Sequence, residues 1–209
     1  MSPKGVKPTI EETLALLAAR VRHLESLEPA VIGIEIISPT ADKFTPIQTR
    51  MDEASMVWFD GTYFACDCKA AGHWTSWITA QRLFDYGTYE WKGKFEGIGA
   101  NCELYFGFEY HHGTLADGII AFANIGGTYR AYTAWGGNSE FTNLPGEDWT
   151  AEKTFKVVWD ASDVYFYVDD VEKAHHNTWI PQTAMMLFGE AGNRTGARSH
   201  FRESSFVEL

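Results

Sequence analysis

Over the first thirty residues apolar side chains recur every three or four positions, and from residue 31 onward they alternate with polar ones. In the first segment Ile10, Leu14, Leu17, Val21 and Leu24 fall at spacings of four, three, four and three, the a/d seam of an amphipathic helix. Thr9 can cap it, Glu12 completes a capping box, and Pro29 marks its end. The spacing predicts a helix over 9–28 within an N-terminal segment 1–30. Two heptads are marginal in water on their own. The stripe therefore packs either on its own domain or in a short parallel bundle of two or three copies, a coiled coil that would make a homo-oligomer. Leu16 and Leu27 lie off the seam and suit a helix that also touches its own domain.

Beyond residue 30 come runs such as VIGIEIIS, TYFACDCK, TYEWKGKF, NCELYFGFEY, TFKVVWD, DVYFYVD and AMMLFGE. β-Branched and aromatic residues dominate them, and Gly, Asp, Asn and Pro separate them. About a dozen short strands without a second helix predict an all-β, two-sheet antiparallel sandwich over 31–209. Asp169-Asp170 is placed to form a two-residue hairpin turn. Residues 39–53 and 136–150, rich in small polar residues, read as long surface loops.

Composition narrows the partners. A formal charge of −11 repels phosphate backbones and anionic lipid surfaces, which argues against nucleic acid. No stretch approaches the ~20 apolar residues of a membrane span, and the first nine residues lack the apolar centre of a signal peptide. Membrane insertion is not expected, and a virion or extracellular surface fits. Cys66, Cys68 and Cys102 are an odd set without paired metal-ligand spacing, so buried free thiols are expected rather than disulfides or a zinc site. His111-His112 and His175-His176 are adjacent pairs whose rings face opposite ways in a strand, which disfavours a metal site in either. No cofactor is indicated; a loop calcium, common enough for Asp and carbonyl oxygens, has no assignable position.

Two stretches and a tail carry a resemblance. YGTYEWKGKF, Tyr86 to Phe95, resembles the Tyr-Gly-x-aromatic-Glu-x-x-x-Lys strand of the laminarinase and lichenase family of glycoside hydrolases. Phe155 to Gly189 is similar to the later part of that domain: a strand ending in Trp, a turn, a strand ending in Tyr-Val-Asp, a hairpin, then Ile-Pro and an apolar strand. The tail SSFVEL would be a closing strand that returns beside the first. The resemblance implies a concanavalin A-like jelly roll and, in active members, a strand bearing Glu-x-Asp-x-(x)-Glu on the concave sheet. Here the corresponding stretch, Gly118 to Asn124, contains no carboxylate. The family's catalytic pair has no counterpart, and no catalytic residue is assigned.

Other acids must then be weighed. Glu103 and Glu109 share a strand face with Tyr105, but six residues separate their Cα atoms by ~20 Å, too far for a two-carboxylate mechanism. Glu90 is a further candidate, with pairing to Lys92 or Lys94 as its structural alternative. The motifs of lyases with this broad fold are absent. Binding remains: aromatic faces stack on sugar rings while carboxylates and amides bond hydroxyls. The residues expected to contact a glycan are Tyr105, Glu109, Tyr110, Trp135, Asn138, Glu103 and Glu90. The sequence thus predicts a non-catalytic glycan-binding or structural display module in a homo-oligomer, an arrangement suited to virus fibres and decoration proteins. The alternatives are a hydrolase or lyase with relocated acids, and a purely architectural sandwich that binds only other structural proteins.

Overall fold

The computed structural model describes residues 56–59, 62–68, 71–72, 74–78, 83–110 and 117–209. The expected helix at 9–28, with Ile10, Leu14, Leu17, Val21 and Leu24, lies outside these, as do the loop at 39–53 and His111-His112. Among the described residues thirteen strands, numbered in chain order, form two antiparallel sheets. The seven-stranded sheet runs β1 (Met56–Phe59), β2 (Tyr63–Cys68), β13 (Ala197–Glu208), β4 (Gly87–Glu96), β9 (Lys153–Trp159), β10 (Val164–Val168), β11 (Val171–His176). The six-stranded sheet runs β3 (Trp74–Ile78), β12 (Met186–Gly192), β5 (Glu103–Glu109), β6 (Gly118–Ile125), β7 (Thr128–Trp135), β8 (Asn138–Asn143). This is the two-sheet jelly-roll sandwich that the alternating pattern predicts.

Two-residue hairpins set the register of three strand pairs. Gly126-Gly127 joins β6 to β7, Gly136-Gly137 joins β7 to β8, and Asp169-Asp170 joins β10 to β11, all with positive φ. Such turns match the right-handed strand twist and require left-handed backbone at both positions. The reading of 136–150 as one long loop is corrected here: the Gly136-Gly137 turn pairs Trp135 with Asn138, and NSEFTN continues as edge strand β8. Strand β13, which carries the tail, lies between β2 and β4, with Val207 and Glu208 opposite Glu90 and Tyr89. A register shift between Arg202 and Val207 lets Phe201 and Phe206 both reach the core despite their odd spacing.

Each strand's alternation supplies the core. Tyr89, Trp91 and Phe95 of β4 meet Leu104, Phe106 and Phe108 of β5 and Ile120 and Phe122 of β6 between the sheets. Strand β6 is buried on both faces, which is why it reads as a nearly unbroken apolar run. Cys66, Cys68 and Cys102 are buried free thiols. Cys66 Sγ lies 2.8 Å from Ser199 Oγ, and burial pushes its thiol up to about 12. Cys102 Sγ donates to Asn124 Oδ1 at 3.1 Å.

His175 and His176 face opposite sides. His175 stacks on Tyr165 at 4.3 Å and meets Asp163 at 2.5 Å on the outer surface. His176 points between the sheets, where its two ring nitrogens bond Thr133 Oγ1 (2.9 Å) and Thr142 Oγ1 (3.0 Å) and so tie β11 to β7 and β8. Burial lowers the affinity of His176 and of His200 for a proton below the ordinary 6.5. A depressed imidazole means that the unfolded chain binds protons first as pH falls. Stability is accordingly full above about pH 6.5 and is lost progressively below it. Hydrogen bonds and lysine partners hold Glu96, Glu147 and Asp169 below the usual carboxylate range despite partial burial, which adds a second loss beneath about pH 4.5. Urea unfolding at pH 7.5 and 5.5 is expected to show the lower midpoint at 5.5, and replacing His176 by Gln should shrink that difference.

Candidate functional site

Strand alternation gives the six-stranded sheet a second, outward face. Tyr105 of β5, Ile119, Ala121 and Ala123 of β6, Ala134 of β7 and Phe188 of β12 form an apolar cluster separate from the main core. Trp74, Ile125, Tyr132 and Met186 pack around it, half-buried. The centre of this face is closed: Ile119, Ala121, Ala123 and Phe188 are 0% exposed. Among the described residues three carboxylates share it. Glu103 and Glu109 lie on the Tyr105 face of β5, and Glu190 is on the Phe188 face of β12, directly across from Tyr105.

Glu103 and Glu190 are diagonal neighbours, because Glu190 pairs with Tyr105 two residues along from Glu103. Diagonal neighbours of this kind lie about 7–8 Å apart, with their Cβ atoms somewhat closer. Tyr105 sits between them and donates its hydroxyl to Glu103 Oε2 at 3.1 Å. Burial, then the charges of Glu103 and Glu190, push the Tyr105 phenol far up, so it remains a donor at any ordinary pH. Asn193 Nδ2 donates to the other oxygen of Glu103 at 2.9 Å. The Trp74 ring lies flat against Gly192, where a Cβ would overlap it. Arg194 lies against Gly99 in the same way, with its guanidinium where a Gly99 side chain would begin. Trp74, Glu103, Asn193 and Arg194, all half-buried, thus form a polar and aromatic rim at one end of the closed apolar centre.

The other expected residues are distributed differently. Glu109 is fully buried at the far end of β5, opposite Met186 and Ile119. Tyr110 and Trp135 pack edge-on at 5.7 Å beside Gly118, where a Cβ would meet Tyr110 Cβ at 2.8 Å. Asn138 is exposed, and its amide closes the local turn on the Gly136 carbonyl at 3.2 Å. Glu90 belongs to the other sheet, where it pairs in register with Lys156 of β9. It is not brought near Glu103. The sequence pattern does not single out Glu190 or Trp74, and it marks Asn193 only as the start of an Asn-Arg-Thr sequon. The one signal for Glu190 was a carboxylate on the alternate positions of an otherwise apolar strand, Met186-Leu187-Phe188-Gly189-Glu190.

Among the described residues, no group of three or more His, Cys, Asp or Glu is disposed to hold a metal ion, and no helix is long and apolar enough to cross a membrane. No family model matches the chain, nor does any curated protein. Solved structures do match. A native glycosidic hydrolase aligns at 16% identity over 85% of this chain and 94% of its own, with a TM-score of 0.63. SCLam, a non-specific endo-β-1,3(4)-glucanase from family GH16, aligns at 12% identity over 82% and 85%, with a TM-score of 0.60. The laminarinase catalytic domain from Thermotoga maritima MSB8 aligns at 16% identity over 76% and 80%, with a TM-score of 0.55. At such identities the likeness is one of fold, and the fold of this chain is the concanavalin A-like jelly roll found in these glycoside hydrolases.

Proposed function

We propose that the sandwich is a non-catalytic glycan-binding module, carried in a homo-oligomer of the kind that displays binding domains on a surface such as a virus particle. The observation that supports it most is the outward face of β6. Where a glycoside hydrolase of this fold needs two convergent carboxyls, Ile119, Ala121 and Ala123 are packed into an apolar cluster without exposure. The rim beside that cluster has the chemistry of sugar recognition: an indole at Trp74, a carboxylate at Glu103 oriented from both sides, and the amide and guanidinium of Asn193 and Arg194. The oligomer rests on the heptad seam from Ile10 to Leu24.

The experiment is retention on a panel of β-glucans, uronate polymers and cell-surface polysaccharides, with product analysis alongside. The glucans come first because an endo-β-1,3(4)-glucanase and a laminarinase share the fold. Retention without new reducing ends is expected. A Trp74→Ala, Glu103→Ala double variant should bind at least about tenfold more weakly, the loss of one stacked ring and one charge-assisted hydrogen bond.

A second reading, a hydrolase with relocated acids, has one observation in its favour: the Glu103 and Glu190 diagonal around Tyr105, whose spacing is of the order that paired carboxyls use. Released oligosaccharides that disappear in Glu190→Gln would replace the binding reading with this one.

A further inference from the structure

At the β11–β12 crossover, the sequence His176 to Met185 turns through an unusual residue. Trp179 has φ 54° and is 47% exposed. A bulky side chain in the left-handed region costs about 1–2 kcal/mol, and an exposed indole gives no core packing in return. The loop nevertheless holds it firmly from both sides. On one side Thr178 donates its backbone N–H and its hydroxyl to Glu140 Oε2, at 3.2 and 2.5 Å. On the other, Ile180 and Pro181 are buried. Gln182 then locks the loop, since its amide donates to the carbonyls of Ile180 and Ala161 at 2.9 Å each.

The same Gln182 accepts a hydrogen bond from Tyr86 at 3.3 Å. Tyr86 is 40% exposed, and its ring stands edge-on against buried Trp159 at 5.3 Å, which fixes its orientation. Three residues of chain hold Trp179 within about 11 Å of Gln182 at the Cα atoms. Two exposed aromatic residues, Trp179 on a braced backbone and Tyr86 with its ring held, thus lie near one side-chain amide, with Glu140, Asn177 and Thr178 close to Trp179 in the chain or through its hydrogen bonds.

We infer that Trp179, with Tyr86 and Gln182, forms a second carbohydrate-binding site at this end of the sandwich, separate from the Trp74 and Glu103 rim, and that it takes neutral polysaccharide. Flat rings stack on the C–H face of a pyranose, and one held before binding, as Tyr86 is, does so with little loss of side-chain freedom. The surrounding amide, hydroxyls and carboxylate complement sugar hydroxyls. The net charge of −11 selects against uronate polymers. Leu83 is also exposed in the segment that carries Tyr86, so a contact with another protein chain is the outcome that the test must separate.

This inference rests on the glycan-binding reading, and the Trp179→Gly variant separates the two. Glycine occupies φ 54° without strain, so it removes the indole while the backbone is relieved. Affinity for a soluble neutral β-1,3-glucan, with polygalacturonate as the charged comparator, is measured alongside thermal unfolding and solution mass. The expected result is at least about tenfold weaker glucan binding, an unchanged or higher Tm, an unchanged mass, and no binding of polygalacturonate by the parent. Trp179→Phe should retain most of the affinity, and Tyr86→Ala should lose part of it. Unchanged binding in Trp179→Gly while the Trp74, Glu103 double variant weakens would overturn this site and leave the module reading intact. A parent that retains no glycan overturns both. A change in mass on losing the indole would make the patch a protein contact and end the proposal.

Discussion

Trp91→Ala is expected to destabilise the fold by about 3–5 kcal/mol, a third or more of the stability usual for a domain of this size. The indole sits where both sheets meet. It packs against Phe155 and Phe206 from its own sheet, at 6.5 and 6.3 Å, and against Phe106, Phe108 and Phe122 from the opposite one, at 5.9, 6.0 and 5.9 Å. Removing it opens a cavity that stiff neighbouring rings cannot fill by small shifts. Trp91→Phe is the informative contrast. The indole N–H is buried with no acceptor among the described residues, so phenylalanine removes an unmet donor together with some volume. Its cost should stay under about 1.5 kcal/mol in urea titrations.

Gly107→Ala should cost about 3 kcal/mol or more, through the backbone rather than through a cavity. Gly107 lies midway along β5 with φ 150°, and a Cβ there would overlap the Ile120 carbonyl oxygen and lie 2.8 Å from Ala121 Cα. Strand β6 would have to move away across the centre of the sheet. Gly126→Ala is the control: φ is 62°, but nothing lies within 4 Å of the added carbon, so only the left-handed conformation is charged, about 1–2 kcal/mol. Equal costs for the two variants, read from denaturant midpoints at constant m, would refute the close approach of β5 and β6.

The sequence makes legible what short-range chemistry decides. Alternation in TYEWKGKF sends Tyr89, Trp91 and Phe95 inward, and small residues at 169–170 turn the chain in two positions. Strand β8 was hidden because NSEFTN is polar on both sides; what makes it a strand is the Gly136-Gly137 turn and a partner already in place. The candidate site was only half visible for a related reason. Alternation tells which side chains of one strand share a face but not which sheet the strand joins. Glu103 and Tyr105 could therefore be grouped, whereas Glu90 joins the other sheet and Glu190 reaches Tyr105 only through a pairing 85 residues distant, from 105 to 190. Trp179 was unreadable as well, since nothing local in NTWIPQ announces a positive φ on a tryptophan.

The three sealed thiols turn the intact sandwich into its own clock. An alkylating reagent attacks a thiolate, and Cys66 offers almost none while it remains shut beside Ser199 with its proton held up to about 12. Modification at neutral pH therefore counts the moments when strands part. Cys66 and Cys68 keep time for β2 leaving β13, and Cys102, just ahead of β5, keeps time for the opposite sheet. Two hands on one dial distinguish a sandwich that comes apart all at once from one whose sheets loosen separately.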